Sequence, residues 1–278
     1  MRDAAWTALR GPLVPRADWD VGFVAGHPAH AVLGPAAACF AGCAAWPAPE
    51  GWRAALEAGG LAGPLVSAAG VPITFAPSPP KTRARRRRAP VEVATLYDER
   101  IYVRGEVPSR AACWHDFLNM LVWATFPASK RAVNARQRAA LRGHVVDGAP
   151  RLPGARTREQ DALSMLDEGG VVVLVAAARG AAVQAALASA DAHALIAEVA
   201  AGRAAVLALG HALHEHLLSS DAPVRALALP LAVPALPASC EARVALADAC
   251  LAADLEARRV LTGPTGAPAL PVTAALFG

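Results

Sequence analysis

Two long stretches of this chain carry no formal charge, Val21 to Pro49 and Ala58 to Pro80, yet glycine and proline break both at short intervals. That combination narrows the possible folds more than any other feature. A membrane-spanning helix needs about 20 consecutive apolar residues, and proline and glycine interrupt helices. Neither stretch therefore reads as a membrane helix, and residues 1–60 are expected to form short helices in a soluble protein. Trp19, Trp46 and Trp52 would anchor the packing, with Pro28, Gly34 and Pro47 punctuating it. Arg2, Asp3, Arg10, Arg16 and Asp18 leave no continuous apolar leader at the start.

The expected fold class is α+β, mostly helical with a small β-sheet or hairpins, in one domain over residues 1–278. A hydrophobic content of 55% supplies the core, and abundant alanine favours helix. The domain would comprise an N-terminal helical part (1–80), a basic loop (81–90), a motif-bearing core (91–220) and a C-terminal extended segment with a helix (221–278). Lys81, Arg83 and Arg85 to Arg88 form one basic run. Without those six charges the formal total falls from +4 to −2, so the fold itself is not basic. Five cysteines at irregular spacings read as buried free thiols in a reducing compartment.

Residues 71–76 suit a short buried strand. Val91 to Val107, rich in β-favouring residues, predicts a strand pair with its turn at residues 98–100. A helix is expected from Arg110 to Thr125, stopped by Pro127, and another capped by Ser129 and running to about Leu141. Thr157, followed three residues later by Gln160, fits a capping box. The segment beyond it reads either as helix then strand or as a hairpin turning at Asp167 and Glu168. Residues 181–218 read as two alanine-rich helices and 222–238 as an extended connection. Ser239 would cap a last helix over Cys240 to Leu261.

In a chain that has largely replaced lysine by arginine, the rare residues are informative. The two asparagines (Asn119, Asn134), the two tyrosines (Tyr97, Tyr102) and one of the two lysines (Lys130) all lie between 97 and 168. Asparagine offers both a donor and an acceptor, and an ammonium acts as a compact point charge. His115 and Asn119 share a helical face, with Asp116 beside them, and His211 and Glu215 do the same. Asp161, Asp167 and Glu168 add carboxylates. Imidazoles with carboxylates suit a divalent metal or acid–base work. The expected metal ligands are His115, Asp116, Asp161, His211 and Glu215, and the catalytic set adds Asn119, Lys130, Asp167 and Glu168. Arg110, Asn134, Arg156 and Arg158 would bind substrate. No Walker loop, Rossmann glycine pattern, GxSxG elbow or CxxC pair occurs, which removes the commonest nucleotide, hydrolase and zinc-ribbon readings.

Specific motifs then point to a family. They are Tyr97 with Ile101, Gly105-x-Val107-Pro108-x-Arg110, Trp114-His115-Asp116-x-x-Asn119, Trp123, Phe126-Pro127-x-x-Lys130 and Asn134. Arg158, Asp161-Ala162-Leu163, Asp167-Glu168-x-Gly170 and Gly210-His211-Ala212-Leu213-x-Glu215 complete the pattern. Together they resemble a bacterial family known as domain of unknown function 3025. The resemblance implies a cytoplasmic protein and brings no activity with it.

Two functions remain open on the residues. The first is a metal-dependent hydrolase acting on a phosphoester or other anionic substrate, with a divalent metal as cofactor. The second is a non-catalytic module binding RNA, a nucleotide or a protein, with residues 81–88 contacting nucleic acid. No membrane partner is expected.

Overall fold

The computed structural model describes residues 18–61, 65–78, 90–262 and 269–278. The basic run at 81–88 lies outside them. Among the described residues helix accounts for 53% and strand for 14%, so the fold is α+β and mostly helical. No helix among the described residues is long and apolar enough to cross a membrane.

The first charge-free stretch forms a 3-10 turn (Pro28–Leu33), helix α1 (Gly34–Ala38) and, beyond it, helix α2 (Pro49–Ala58). Trp52 is fully buried, and Trp19 and Trp46 pack around Trp114 and Phe117 with ring centroids 4.9 to 6.3 Å apart. All five cysteines are free, but each is half-buried rather than fully enclosed.

The expected strand pair over 91–107 is not formed. Tyr97–Arg104 is helix α3. Asp98 and Glu99 lie in its first turn, where the helix dipole favours negative charge. Gly105 ends it in the left-handed conformation at φ 66°, and a Cβ there would lie 2.0 Å from the carbonyl oxygen of Pro72. These end signals outweigh the β preference of Tyr97, Ile101 and Val103. The strand of this region is β2 (Glu106–Ser109), which runs parallel to β1 (Thr74–Pro77).

Helix α4 (Trp114–Thr125) starts later than expected, and α5 (Pro127–Arg142) starts at its proline. Ser129 is not its cap. Asp248, from helix α10 (Cys240–Glu256), accepts the free backbone N–H groups of Ala128 and Ser129 at 3.0 and 2.7 Å. A distant carboxylate thus fills the anion-favouring helix start beside Lys130. Glu99 is buried and bonds Arg138 and Arg142 of α5, which holds α3 against that helix.

The capping box is present: Thr157 and Gln160 satisfy each other's backbone N–H groups at the start of α6 (Arg158–Gly169). The hairpin alternative fails, because α6 runs through Asp167 and Glu168 into β3 (Gly170–Ala176). Two short helices follow, α7 (Gly180–Ala188) and α8 (Ala192–Ala200). The alanine-rich region then holds an unexpected strand, β4 (Ala204–Ala208), before α9 (His211–Ser219). The supposed connection over 222–238 contains β5 (Arg225–Val233).

The larger sheet has the order β4-β3-β5-β6, with β6 at Ala269–Pro271. Strand β3 pairs antiparallel with β4 and parallel with β5. A strand enclosed on both sides reads as a continuous apolar run, and GVVVLVA is one. Among the described residues β6 covers only Arg225 to Leu227, so Pro230 lies where β5 has β3 as its single described neighbour. Side chains alternate: Val172 and Leu174 enter the core with α4 and α10, while Val171, Val173 and Val175 enter a second core with α7 and α8.

Candidate metal centre

Helices α4, α6 and α9 meet beside the end of β3. The contact of α9 with α6 depends on Gly210, where a Cβ would lie 2.5 Å from the carbonyl oxygen of Glu168 and 2.6 Å from Gly169. This close approach sets the first residue of α9, His211, against α6. Its Nδ1 donates to the backbone carbonyl of Asp167 at 2.7 Å. Gly210→Ala is expected to push the two helices apart at a cost of about 1–3 kcal/mol. Urea unfolding measures this, and an unchanged midpoint would contradict the close-contact argument.

The bond at Nδ1 decides the state of His211. A carbonyl oxygen only accepts, so Nδ1 carries the hydrogen and Nε2 keeps its lone pair. Burial agrees, pushing the pKa of His211 down to about 3. The mirror arrangement holds at His115, whose Nδ1 donates to Glu215 Oε2 at 2.8 Å. Burial opposes charge on His115, but the Glu215 bond and charge outweigh it, and its pKa rises. The two Nε2 atoms face each other at 3.1 Å. Glu168 supplies a third donor, and the three donor atoms of His115, Glu168 and His211 lie within 4.8 Å of one another. Burial raises the Glu168 pKa.

A polar chain runs on from this triad. Buried Lys130 donates to both Asp167 Oδ1 and Asn119 Oδ1, the latter at 2.8 Å, and sits over the Trp123 ring. Asn119 Nδ2 donates to the Tyr97 hydroxyl at 3.2 Å. Burial works against the Asp167 charge, but Lys130 and His211 hold its pKa below the usual carboxylate range. Asn134 donates to the Asp98 carbonyl at 3.2 Å. Burial, reinforced by the Asp167 charge, pushes the Asp98 carboxyl up to about 6.

These groups border a cleft of about 460 Å³, lined by Tyr97, Asp98, Lys130, Asn134, Asp167 and Glu168 at its polar end. Leu96, Val145, Leu152 and Pro153 form an apolar wall. Glu168 therefore belongs both to the donor triad and to the cleft.

The structure brings together most of the residues expected from the sequence and redistributes their roles. His115 and His211 converge as expected. Glu215 orients His115 rather than joining the triad. Asp116 is not a metal ligand, because Arg110 holds it through its backbone N–H and its guanidinium at 2.7 to 2.9 Å. That pair also removes Arg110 as a free anion site. Asp161 faces solvent, one position round α6 from the cleft-lining Gln160. Arg158 is exposed and outside the cleft lining, while Arg156 lines the cleft and bonds Ser164 at 2.9 Å. Lys130 is already neutralised by Asp167. Tyr97 was missed as a site residue. Its rarity was a signal, but reading Val91 to Val107 as strands hid its place one helix away from Asn119.

Fold and site together define an α+β protein with a partly buried histidine–carboxylate centre beside a cleft. The chain belongs to the family described as protein of unknown function (DUF3025), whose model matches residues 85–274. No curated protein and no solved structure matches it.

Proposed function

We propose that this protein is a metal-dependent hydrolase whose divalent ion is held by His115, His211 and Glu168. The observation carrying the reading is the pair of Nε2 atoms 3.1 Å apart with both Nδ1–H groups committed to oxygen acceptors. With both imidazoles neutral, two lone pairs oppose each other, and only a proton or a cation relieves that repulsion. Two nitrogens on one zinc ion at ~2.0–2.1 Å with a near-tetrahedral angle lie roughly 3.3 Å apart. Metal-bound histidines typically donate their second N–H to a carboxylate or a carbonyl, as His115 and His211 do here.

Three protein ligands of the His₂Glu type leave a coordination position for water, and a bound ion lowers that water's pKa to about 7. Glu215 and the Asp167 carbonyl would fix the two rings. Lys130 would keep Asp167, and so the peptide carbonyl that orients His211, in place.

Metal analysis of protein dialysed against zinc tests the reading. Wild type and Asp161→Ala are expected to hold about one ion per chain, and His115→Ala and His211→Ala less than about a tenth of that. Whichever activated ester is turned over, carboxylic or phosphate, its hydrolysis should stop on chelation. Equal metal content in all four proteins would end the proposal.

A further inference from the structure

The geometry points to an uncharged acyl compound, an ester or amide, as the substrate of this cleft, with the Tyr97 hydroxyl donating a hydrogen bond to its carbonyl oxygen. The inference rests on the hydrolase reading above and narrows it.

The direction of the Tyr97 bond is forced. Lys130 can only donate, so the atom of Asn119 that it meets at 2.8 Å is the carbonyl oxygen Oδ1. Nδ2 must then be the atom facing Tyr97, and it donates, so the phenol oxygen accepts at 3.2 Å. The phenol hydrogen is left to be given elsewhere. Among the described residues no acceptor takes it, and Tyr97 lines the cleft. Tyr97 and Glu168, the third donor of the triad, both line this cleft, so the hydroxyl and the ion's site share it. A carbonyl group seated between them would meet the ion on one side and the phenol on the other. Preorganised donors at a developing oxyanion are a principal source of acyl-transfer catalysis.

The charges in the cleft argue against a phosphoester. Asp98, Asp167 and Glu168 line it, against Lys130 and Arg156. Lys130 and Asp167 neutralise each other, and Arg156, exposed and bonded to the neutral Ser164 hydroxyl, lies within electrostatic reach of Asp98 and Glu168. A phosphate group would add its charge to those of Asp98 and Glu168, with Arg156 as the single arginine or lysine of the lining not paired to an acid to offset them. A neutral carbonyl meets no such repulsion, and the wall of Leu96, Val145, Leu152 and Pro153 suits the apolar part of an acyl compound.

Hydrolysis adds one water across the acyl bond. The water oxygen bonds to the carbonyl carbon, and the bond from that carbon to the leaving nitrogen or oxygen breaks. One water proton passes to the leaving atom, and the other stays on the new carboxylic acid. A carboxylic acid and an amine or alcohol result, with no change of oxidation state.

Calorimetric titration of zinc-loaded protein with acetohydroxamate, an acyl-type chelator, and with inorganic phosphate tests the inference. Acetohydroxamate is expected to bind at least about tenfold more tightly than phosphate. Tyr97→Phe should weaken acetohydroxamate binding about tenfold, the loss of one hydrogen bond, and leave zinc affinity unchanged. The zinc titration of Tyr97→Phe also reports that the variant is folded. Phosphate as the tighter ligand, or equal acetohydroxamate affinity in the two proteins, overturns the inference and leaves the hydrolase reading standing. Failure of wild type to take up zinc removes both.

Discussion

Lys130→Met should cost about 3–5 kcal/mol of stability, measured by urea unfolding. The ammonium is buried and bonds Asp167 and Asn119 together. Removing it strands the Asp167 carboxylate, which burial already penalises, and leaves the Asn119 carbonyl without its donor. Breaking a buried pair by deleting one member costs far more than the pair is worth as a unit. Adding Asp167→Asn to Lys130→Met should therefore restore part of the loss, because the charge left behind disappears. A single-variant loss below about 1 kcal/mol, or a double variant no more stable than the single, would show that the ion pair is not the buried link described here.

Acid should destabilise the protein through a second histidine pair, His30 and His214. Their Nδ1 atoms are 2.9 Å apart, and His214 Nε2 donates to the Ala208 carbonyl. His214 Nδ1 must then accept and His30 Nδ1 donate, which leaves His30 Nε2 buried with no partner. A proton there would have nothing to bond. Burial, helped by His27, lowers the His30 pKa from 6.5 to about 4, and burial lowers that of His214 as well. A lowered histidine pKa means that the unfolded chain binds the extra proton first. The pair's contribution is intact above pH 6.5 and is lost as pH falls from there toward 4. In metal-free protein, wild type should lose at least about 2 kcal/mol more than His30→Leu/His214→Leu between pH 7 and 5, and at least about 3 by pH 4, the share of His30 alone. Asp98 and His115, whose raised pKa values act in the opposite sense, are present in both proteins and cancel. Parallel stability curves would refute the assignment.

Local signals were readable where they act over a few residues. The capping box at Thr157 and Gln160, the Ser239 cap and the proline between α4 and α5 all marked real helix ends. Misreadings arose where local preference met a stronger neighbour. Tyr97 to Arg104 has β-favouring side chains but acidic and glycine end signals, and the ends won. AAVLA in β4 carries the helix preference of alanine, yet pairing along the buried β3 made it a strand. Asp248 capping α5 is invisible to any local rule, because 119 residues separate it from Ser129.

The amino-acid order alone determined the α+β class, most of the helices and the pool of unusual polar residues, since periodicity, caps and residue chemistry are properties of neighbouring positions. Packing alone decided which of those residues meet. His115 lies 96 residues from His211 and 100 from Glu215, and their contacts exist only because α4, α6 and α9 bury their apolar faces around the same strand. Burial is a free energy of the whole core, summed over contacts distant in sequence, so it selected Glu168 over Asp161 and turned Tyr97 toward the cleft where no local pattern could.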